Sequence, residues 1–155
     1  MRYVITEATF ADPALRQAFM DYFAELGVTV RNWEPLFQEL DRREGWTLLR
    51  QNDAGHIAGF LLCSVQQMSS GFFTASIGFV EEMYVAPAYR HQRHGAALMS
   101  AAEERFCASK CGYAILTTDS APGFFTRQGY LFQPTITAKN GDPVYVKPLE
   151  KPLKP

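Results

Sequence analysis

The sequence predicts an α/β fold of the α+β type, with a mixed, mostly antiparallel sheet of about six to seven strands flanked by about four helices. Three observations predict it. Two turn-sized breaks, Asn52-Asp53-Ala54-Gly55 and Ser69-Ser70-Gly71, separate apolar runs at Trp46 to Gln51, His56 to Met68 and Phe72 to Val85, which is the pattern of three sequential antiparallel strands. A whole helical stretch then separates Val85 from the next strand-like run, Tyr113 to Thr118. That spacing implies a parallel crossover, and such crossovers are right-handed by strong preference. Ahead of the hairpins, two segments carry apolar residues at helical spacing behind cap residues.

Tyr3 to Thr6 is short, β-branched and apolar, and reads as a first strand. Asp12 is the N-cap of a first helix and Pro13 its first position; Leu15, Phe19, Tyr22, Phe23 and Leu26 follow at helical spacing until Gly27. Val28 to Arg31 is an apolar link. Asn32 caps a second helix through Leu40, with Pro35 setting its helical start near that residue. Its stripe of Trp33, Leu36, Phe37 and Leu40 reads as core rather than as a substrate pocket, because large apolar side chains are usually buried. After the three strands, a third helix begins at Ala96 and carries Leu98, Met99, Ala102 and Phe106 on one face until Gly112. A short helix ended by Gly129 follows, then closing strands at Leu131 to Pro134 and Val144 to Val146 around an Asn140-Gly141-Asp142 turn. One domain is expected over residues 1–150, with residues 151–155 as a frayed tail.

The chain has 155 residues, about one domain's length, and can bury a full core. A formal net charge of −1 excludes a global basic field of the kind that binds nucleic acid, so any anion site must be local. Cys63, Cys107 and Cys111 are odd in number and form no C-x-x-C pair, which argues for reduced thiols and against a metal clip. No run reaches membrane-spanning length, and MRYVITEATF holds no long apolar stretch. The expectation is a cytoplasmic protein with no metal, no membrane and no nucleic-acid partner.

The stretch from Glu81 to Ser100, EEMYVAPAYRHQRHGAALMS, concentrates the chemistry: a strand end, a basic loop with Arg90 and Arg93, and a helix start. Free N–H groups and the positive end of a helix dipole favour a phosphate there. The residues by themselves leave a merely solvated basic turn as the alternative. YVAPAYRHQRHGAALM also resembles the acyl-CoA-binding signature of the GNAT superfamily of N-acetyltransferases: a strand ending Tyr-Val, x-Pro-x-Tyr-Arg, a glycine-rich loop, then small-x-Leu-Leu. Tyr84, Val85, Pro87, Tyr89, Arg90, Gly95, Ala97 and Leu98 fall in step with it. His91 and Arg93 stand where that family most often has glycine, and His94 stands where it has Ile or Val. A non-glycine residue at such a position costs roughly 1 kcal/mol if left-handed dihedrals are required. Ser120 to Tyr130 resembles a second family element, Ala-x-x-Phe-Tyr-x-x-x-Gly-Phe. The resemblance is close over residues 77–133 and rests on element order elsewhere.

The resemblance implies the GNAT fold, acetyl-CoA (coenzyme A) as cofactor, and transfer of an acetyl group to a primary amine of a small molecule or peptide. It is compatible with a homodimer. It implies that Met83, Tyr84 and Val85 hold the thioester end of the cofactor, with the Val85 N–H on the thioester carbonyl. Arg90 and the loop amides of His91, Gln92, Arg93, His94, Gly95 and Ala96 would hold the diphosphate, with Thr118, Phe124 and Phe125 contributing downstream. Glu81 and Glu82 are the carboxylates that attract the amine or take its proton. A strand alternates its faces, so one of the two points inward; Glu81 is favoured, and a β-bulge would exchange them. Many relatives protonate the leaving thiolate with a Tyr, but that position is Phe125 here. Tyr130 is the catalytic candidate in its place, with Tyr84, Tyr89 or a water as alternatives. His91 and His94 read as phosphate ligands or as polar surface, and His56 as inert. The competing class is an acyl-CoA-binding sensor with little turnover, suggested by Arg93 and Phe125.

Overall fold

Caps and turns place the elements. Asp12 accepts from the Ala14 N–H at 2.9 Å, Pro13 takes the first helical position, and Gly27, at φ 73°, ends the helix in the left-handed region that suits glycine. A computed structural model describes residues 2–149; the expected tail, 151–155, lies outside them. The chain order is β1 (Tyr3–Ala8), α1 (Pro13–Leu26), α2 (Trp33–Arg42), β2 (Trp46–Asn52), β3 (Ile57–Ser69) and β4 (Thr74–Val85). A 3₁₀ turn, Pro87–Tyr89, is followed by α3 (His94–Ala108), β5 (Tyr113–Thr117), α4 (Pro122–Arg127), β6 (Leu131–Phe132) and β7 (Val144–Pro148). The seven strands form one sheet in the order β1-β2-β3-β4-β5-β7-β6. β1–β2, β5–β7 and β6–β7 pair antiparallel, while β4–β5, joined through α3, pair parallel. This is the expected mixed, mostly antiparallel sheet with the expected β4–β5 crossover, and a second crossover follows, from β5 through α4 to β6, because β7 inserts between those two strands. Two helices start earlier than expected: α2 at Trp33 and α3 at His94. Pro35 falls within the first turn of α2, where its missing N–H is one of the unpartnered donors anyway.

Contacts group the chain into two compact units. The first runs to Leu62 and resumes over Glu82–Leu98. Its core is aromatic: Phe10, Phe19, Phe37, Phe60 and Tyr84 are buried with Leu15, Leu49 and Leu62. Phe10 stacks on Phe37 with ring centroids 5.2 Å apart, and Trp33 stacks on Phe37 at 5.6 Å, so the α2 stripe is core, as expected. Each such ring contributes about 1.5–3 kcal/mol on full burial.

Among the described residues, the second unit comprises Cys63–Glu81 and residues 99–149. Within it, β4 pairs with β5 at Ile77–Tyr113, Gly78–Ala114 and Phe79–Ile115. A Cβ at Gly78 would lie 2.3 Å from Cγ of buried Phe106, so the absence of a side chain lets α3 settle on the strand. Tyr130 is completely buried and donates to Glu103 Oε2 at 2.9 Å, while Lys147 Nζ donates to Glu103 Oε1 at 2.7 Å.

Candidate functional site

β4 ends in the first unit with Glu82, Met83, Tyr84 and Val85. Glu82 and Tyr84 are two residues apart, so they share a strand face, and α1 meets both through one side chain. The Tyr22 hydroxyl donates to Glu82, and the Tyr22 ring lies 5.4 Å from the Tyr84 ring. Burial raises the Tyr22 pKa above its usual value, and the hydrogen bond and charge of Glu82 raise it further. Tyr22 therefore stays protonated and acts as a donor to the carboxylate. The Tyr84 phenol is also raised, first by burial and then by the charges of Glu25 and Asp21, with Arg90 opposing. Glu82 is half-buried, whereas its neighbour Glu81 is exposed and belongs to the other unit.

The peptides around Val85 are held tightly. A Cβ on Gly59 would sit 2.2 Å from the Tyr84 carbonyl oxygen, so this peptide lies where a side chain on β3 would otherwise be. The Ala86 N–H donates to the Ala58 carbonyl at 2.8 Å. Residues 84 and 86 thus direct backbone groups at β3. Val85, between them, turns its own N–H and C=O to the opposite edge, because a planar trans peptide sets the two groups in opposition. The Val85 carbonyl accepts from Arg90 Nε at 2.9 Å, and Arg90 Nη2 donates to Glu25 at 2.6 and 2.7 Å. The pairing of β4 with β5 stops at Phe79, six residues before Val85.

The loop that follows adopts its shape without glycine. His91 has φ 62° and Arg93 has φ 68°, left-handed conformations at both positions where the family resemblance expects glycine. Their side chains and that of Gln92 are exposed. Arg93 leads directly into α3, whose first-turn N–H groups have no carbonyl one turn behind them. His94 departs from the reading as polar surface: it is 4% exposed, with its ring 4.4 Å from Tyr3 and 5.9 Å from Tyr89. Its Nδ1 accepts from Arg50 Nε at 2.9 Å, and its buried Nε2 has no partner among the described residues. Burial, then the Arg50 charge, lowers its pKa, so the ring is neutral with its proton on Nε2.

In the second unit, Thr118 is buried and its Oγ1 accepts from the Ala121 N–H at 3.1 Å, shaping the entry to α4. Phe125 is buried against Phe124, with centroids 4.9 Å apart, and against Tyr130 at 6.2 Å. The Tyr130 phenol is raised well above its usual value by burial, then by the charge and hydrogen bond of Glu103. Among the described residues, no group of His, Cys, Asp and Glu could hold a metal ion, and no helix is long and apolar enough to cross a membrane.

Tyr22, Glu25, Arg50 and Gly59 escaped the reading of the sequence. An isolated glycine inside a strand pattern is a signal of close backbone approach, and it could have found Gly59. The other three come from 44 to 65 residues away along the chain and carry no local signal.

The model of the Acetyltransferase (GNAT) family matches residues 12–130. No curated protein matches the sequence. Among solved structures, a GNAT-family acetyltransferase from Staphylococcus aureus Mu50 is similar with a TM-score of 0.74 at 15% identity, covering 96% of this chain and 100% of that one. The PaiA N-acetyltransferase of Thermoplasma acidophilum, in complex with coenzyme A, is similar with a TM-score of 0.64 at 16% identity, covering 96% and 99%. The N-acetylglutamate synthase of Neisseria gonorrhoeae, complexed with coenzyme A and N-acetyl-glutamate, gives 0.72 at 12% identity, covering 97% of this chain and 36% of that one. At such identities the likeness is one of fold.

Proposed function

The chain belongs to the GNAT acetyltransferase family, and from that premise we propose that it moves the acetyl group of acetyl-CoA to a primary amine of a small molecule or peptide. The observation that carries this reading is the end of β4, which runs past its last β5 pair and presents the Val85 N–H just ahead of the loop and helix start at His91–Ala96. Unpartnered amides at a helix start suit a diphosphate. When bound, the cofactor would supply an acyl group activated as a thioester. Val85 would donate its N–H to the thioester carbonyl, and the backbone of His91–Ala96 would hold the phosphates, a role that survives side-chain change.

The acceptor amine must lose a proton. An alkylamine with pKa near 10.4 is neutral about one part in 2,500 at pH 7, a handicap of roughly 4.6 kcal/mol. Glu82, fixed by Tyr22, is suited to draw in a cation and to take its proton, directly or through water. Glu81 is the alternative on the neighbouring strand position. Tyr130 is committed to Glu103 and Phe125 has no proton, which leaves Tyr84, Tyr89 or water to protonate the leaving thiolate, whose reference pKa is near 8.5.

Two measurements test the reading. Coenzyme A titrated calorimetrically should bind the native chain and should fail to bind a folded Gly95→Trp variant; equal affinity in both would move the phosphates elsewhere. Thiol release from acetyl-CoA should be seen with some member of a panel of amines, and Glu82→Gln should slow it most near neutral pH, with Glu81→Gln as the comparison. Binding without release from any amine would favour the acyl-CoA sensor, a reading that Phe125 supports.

A further inference from the structure

Arg90 occupies the loop position at which a cationic side chain would be read as a phosphate ligand, yet its guanidinium is directed elsewhere. Nε donates to the Val85 carbonyl at 2.9 Å, Nη2 donates to both Glu25 oxygens, and the guanidinium carbon lies 5.9 Å from the centre of the Tyr84 ring. The Glu25 hydrogen bond, foremost, raises the Arg90 pKa. Three constraints therefore converge on two consecutive peptides. Gly59 admits the Tyr84 carbonyl, Ala58 accepts from the Ala86 N–H, and Arg90 grips the Val85 carbonyl from the opposite edge.

We propose that Arg90, braced by Glu25 on α1, is a positioning residue that fixes the Val85 peptide and so aims the Val85 N–H, rather than a ligand of the diphosphate. The proposal rests on the acetyltransferase reading above. The Val85 N–H shares its peptide plane with the Tyr84 carbonyl, and the Val85 carbonyl lies in the next plane, joined to the first at Val85 Cα. With the Tyr84 carbonyl seated over Gly59 and the Val85 carbonyl held by Arg90, the planes on both sides of Val85 Cα are anchored, and the torsions that could swing the Val85 N–H are restrained. The guanidinium reaches the backbone oxygen and the carboxylate with separate nitrogens held in one rigid plane, a geometry that the single ammonium nitrogen of lysine does not reproduce.

Coenzyme A and acetyl-CoA differ in the thioester carbonyl, so their affinities separate the two roles. The full chain is titrated with each compound, native and as Arg90→Gln, Arg90→Lys and Glu25→Gln. We expect coenzyme A to keep its affinity within about twofold in all variants. The affinity for acetyl-CoA should fall about three- to tenfold, the worth of one hydrogen bond. In ¹⁵N-resolved spectra, the Val85 amide proton of the native chain should move downfield with acetyl-CoA more than with coenzyme A, and the variants should lose that difference. A parallel loss of about tenfold for both compounds in Arg90→Gln, restored by Arg90→Lys, would make Arg90 a phosphate ligand and overturn the proposal. Unchanged affinities and spectra would overturn it as well. If the native chain bound neither compound, the acetyltransferase reading itself would fall and the brace with it, a result distinct from the other two. Should Arg90→Gln not fold, Glu25→Gln carries the same comparison.

Discussion

Replacing Gly59 with alanine tests how closely the strand end is built. The new methyl carbon would lie 2.2 Å from the Tyr84 carbonyl oxygen, 3.1 Å from Val85 Cα and 3.2 Å from the Tyr84 carbonyl carbon. All three are backbone atoms, so no rotamer change can make room. A carbon and a carbonyl oxygen are comfortable at about 3.3–3.6 Å, so the Tyr84 peptide must recede by roughly 1.1 Å or more. Overpacking of this kind costs about 1–3 kcal/mol of stability, read as a lower urea midpoint at constant slope. The functional effect should be larger, because a displacement of about 1 Å at a reacting group can cost 10²-fold in rate. Thiol release from acetyl-CoA should accordingly fall by about two orders of magnitude under conditions where the variant is folded. Gly112→Ala is the control: nothing lies within 4 Å of its new methyl, and it should be neutral or gain about 0.4–1 kcal/mol. A Gly59→Ala variant as stable and as fast as the native chain would refute the placement of the Tyr84 and Val85 peptides.

Gly78→Ala should lose about 1–3 kcal/mol because its methyl would enter the ring of Phe106, and Phe106→Leu should recover part of that loss in a double-mutant cycle; strict additivity would refute the contact. Tyr130→Phe should lose about 1–2 kcal/mol of stability and leave turnover within about twofold, whereas a collapse of turnover in a folded variant would make Tyr130 the proton donor after all. His94 titrates below its usual 6.5 when folded, so the unfolded chain takes up its proton first as pH falls. The stability it confers is complete above about pH 6.5 and declines from there through the folded value. Urea midpoints at pH 7.5 and 5.5 should therefore differ more for the native chain than for His94→Leu, and equal differences would remove His94 from the pH response.

The parts of the fold governed by short-range rules were legible. Turn residues at Asn52–Gly55 and Ser69–Gly71 separate β2, β3 and β4, and the helix-length gap before Tyr113 marks the crossover. Helix starts were less legible because a proline in a first turn, such as Pro35, displaces nothing that the helix needs. At the site, the strand end and the basic loop could be read from spacing and resemblance. The partners of Glu82 and Arg90 could not: Tyr22 and Glu25 on a helix look like any amphipathic pattern until α1 packs against β4. His94 is a related case. Its burial follows from Tyr3 and Arg50, and the acceptor it offers to Arg50 spans 44 residues of chain.

The absence of glycine from the loop has a consequence for recognition. With glycine at positions 91 and 93, the backbone would sample many shapes and would have to be frozen when an anion arrives. A histidine and an arginine already bent into the left-handed region leave few other shapes to sample, so the strain is borne in the resting protein and the amides are set in advance. Such a receptor gives up little disorder on capture. Glycine introduced at both positions should make the entropy of coenzyme A binding less favourable, even as it eases the backbone.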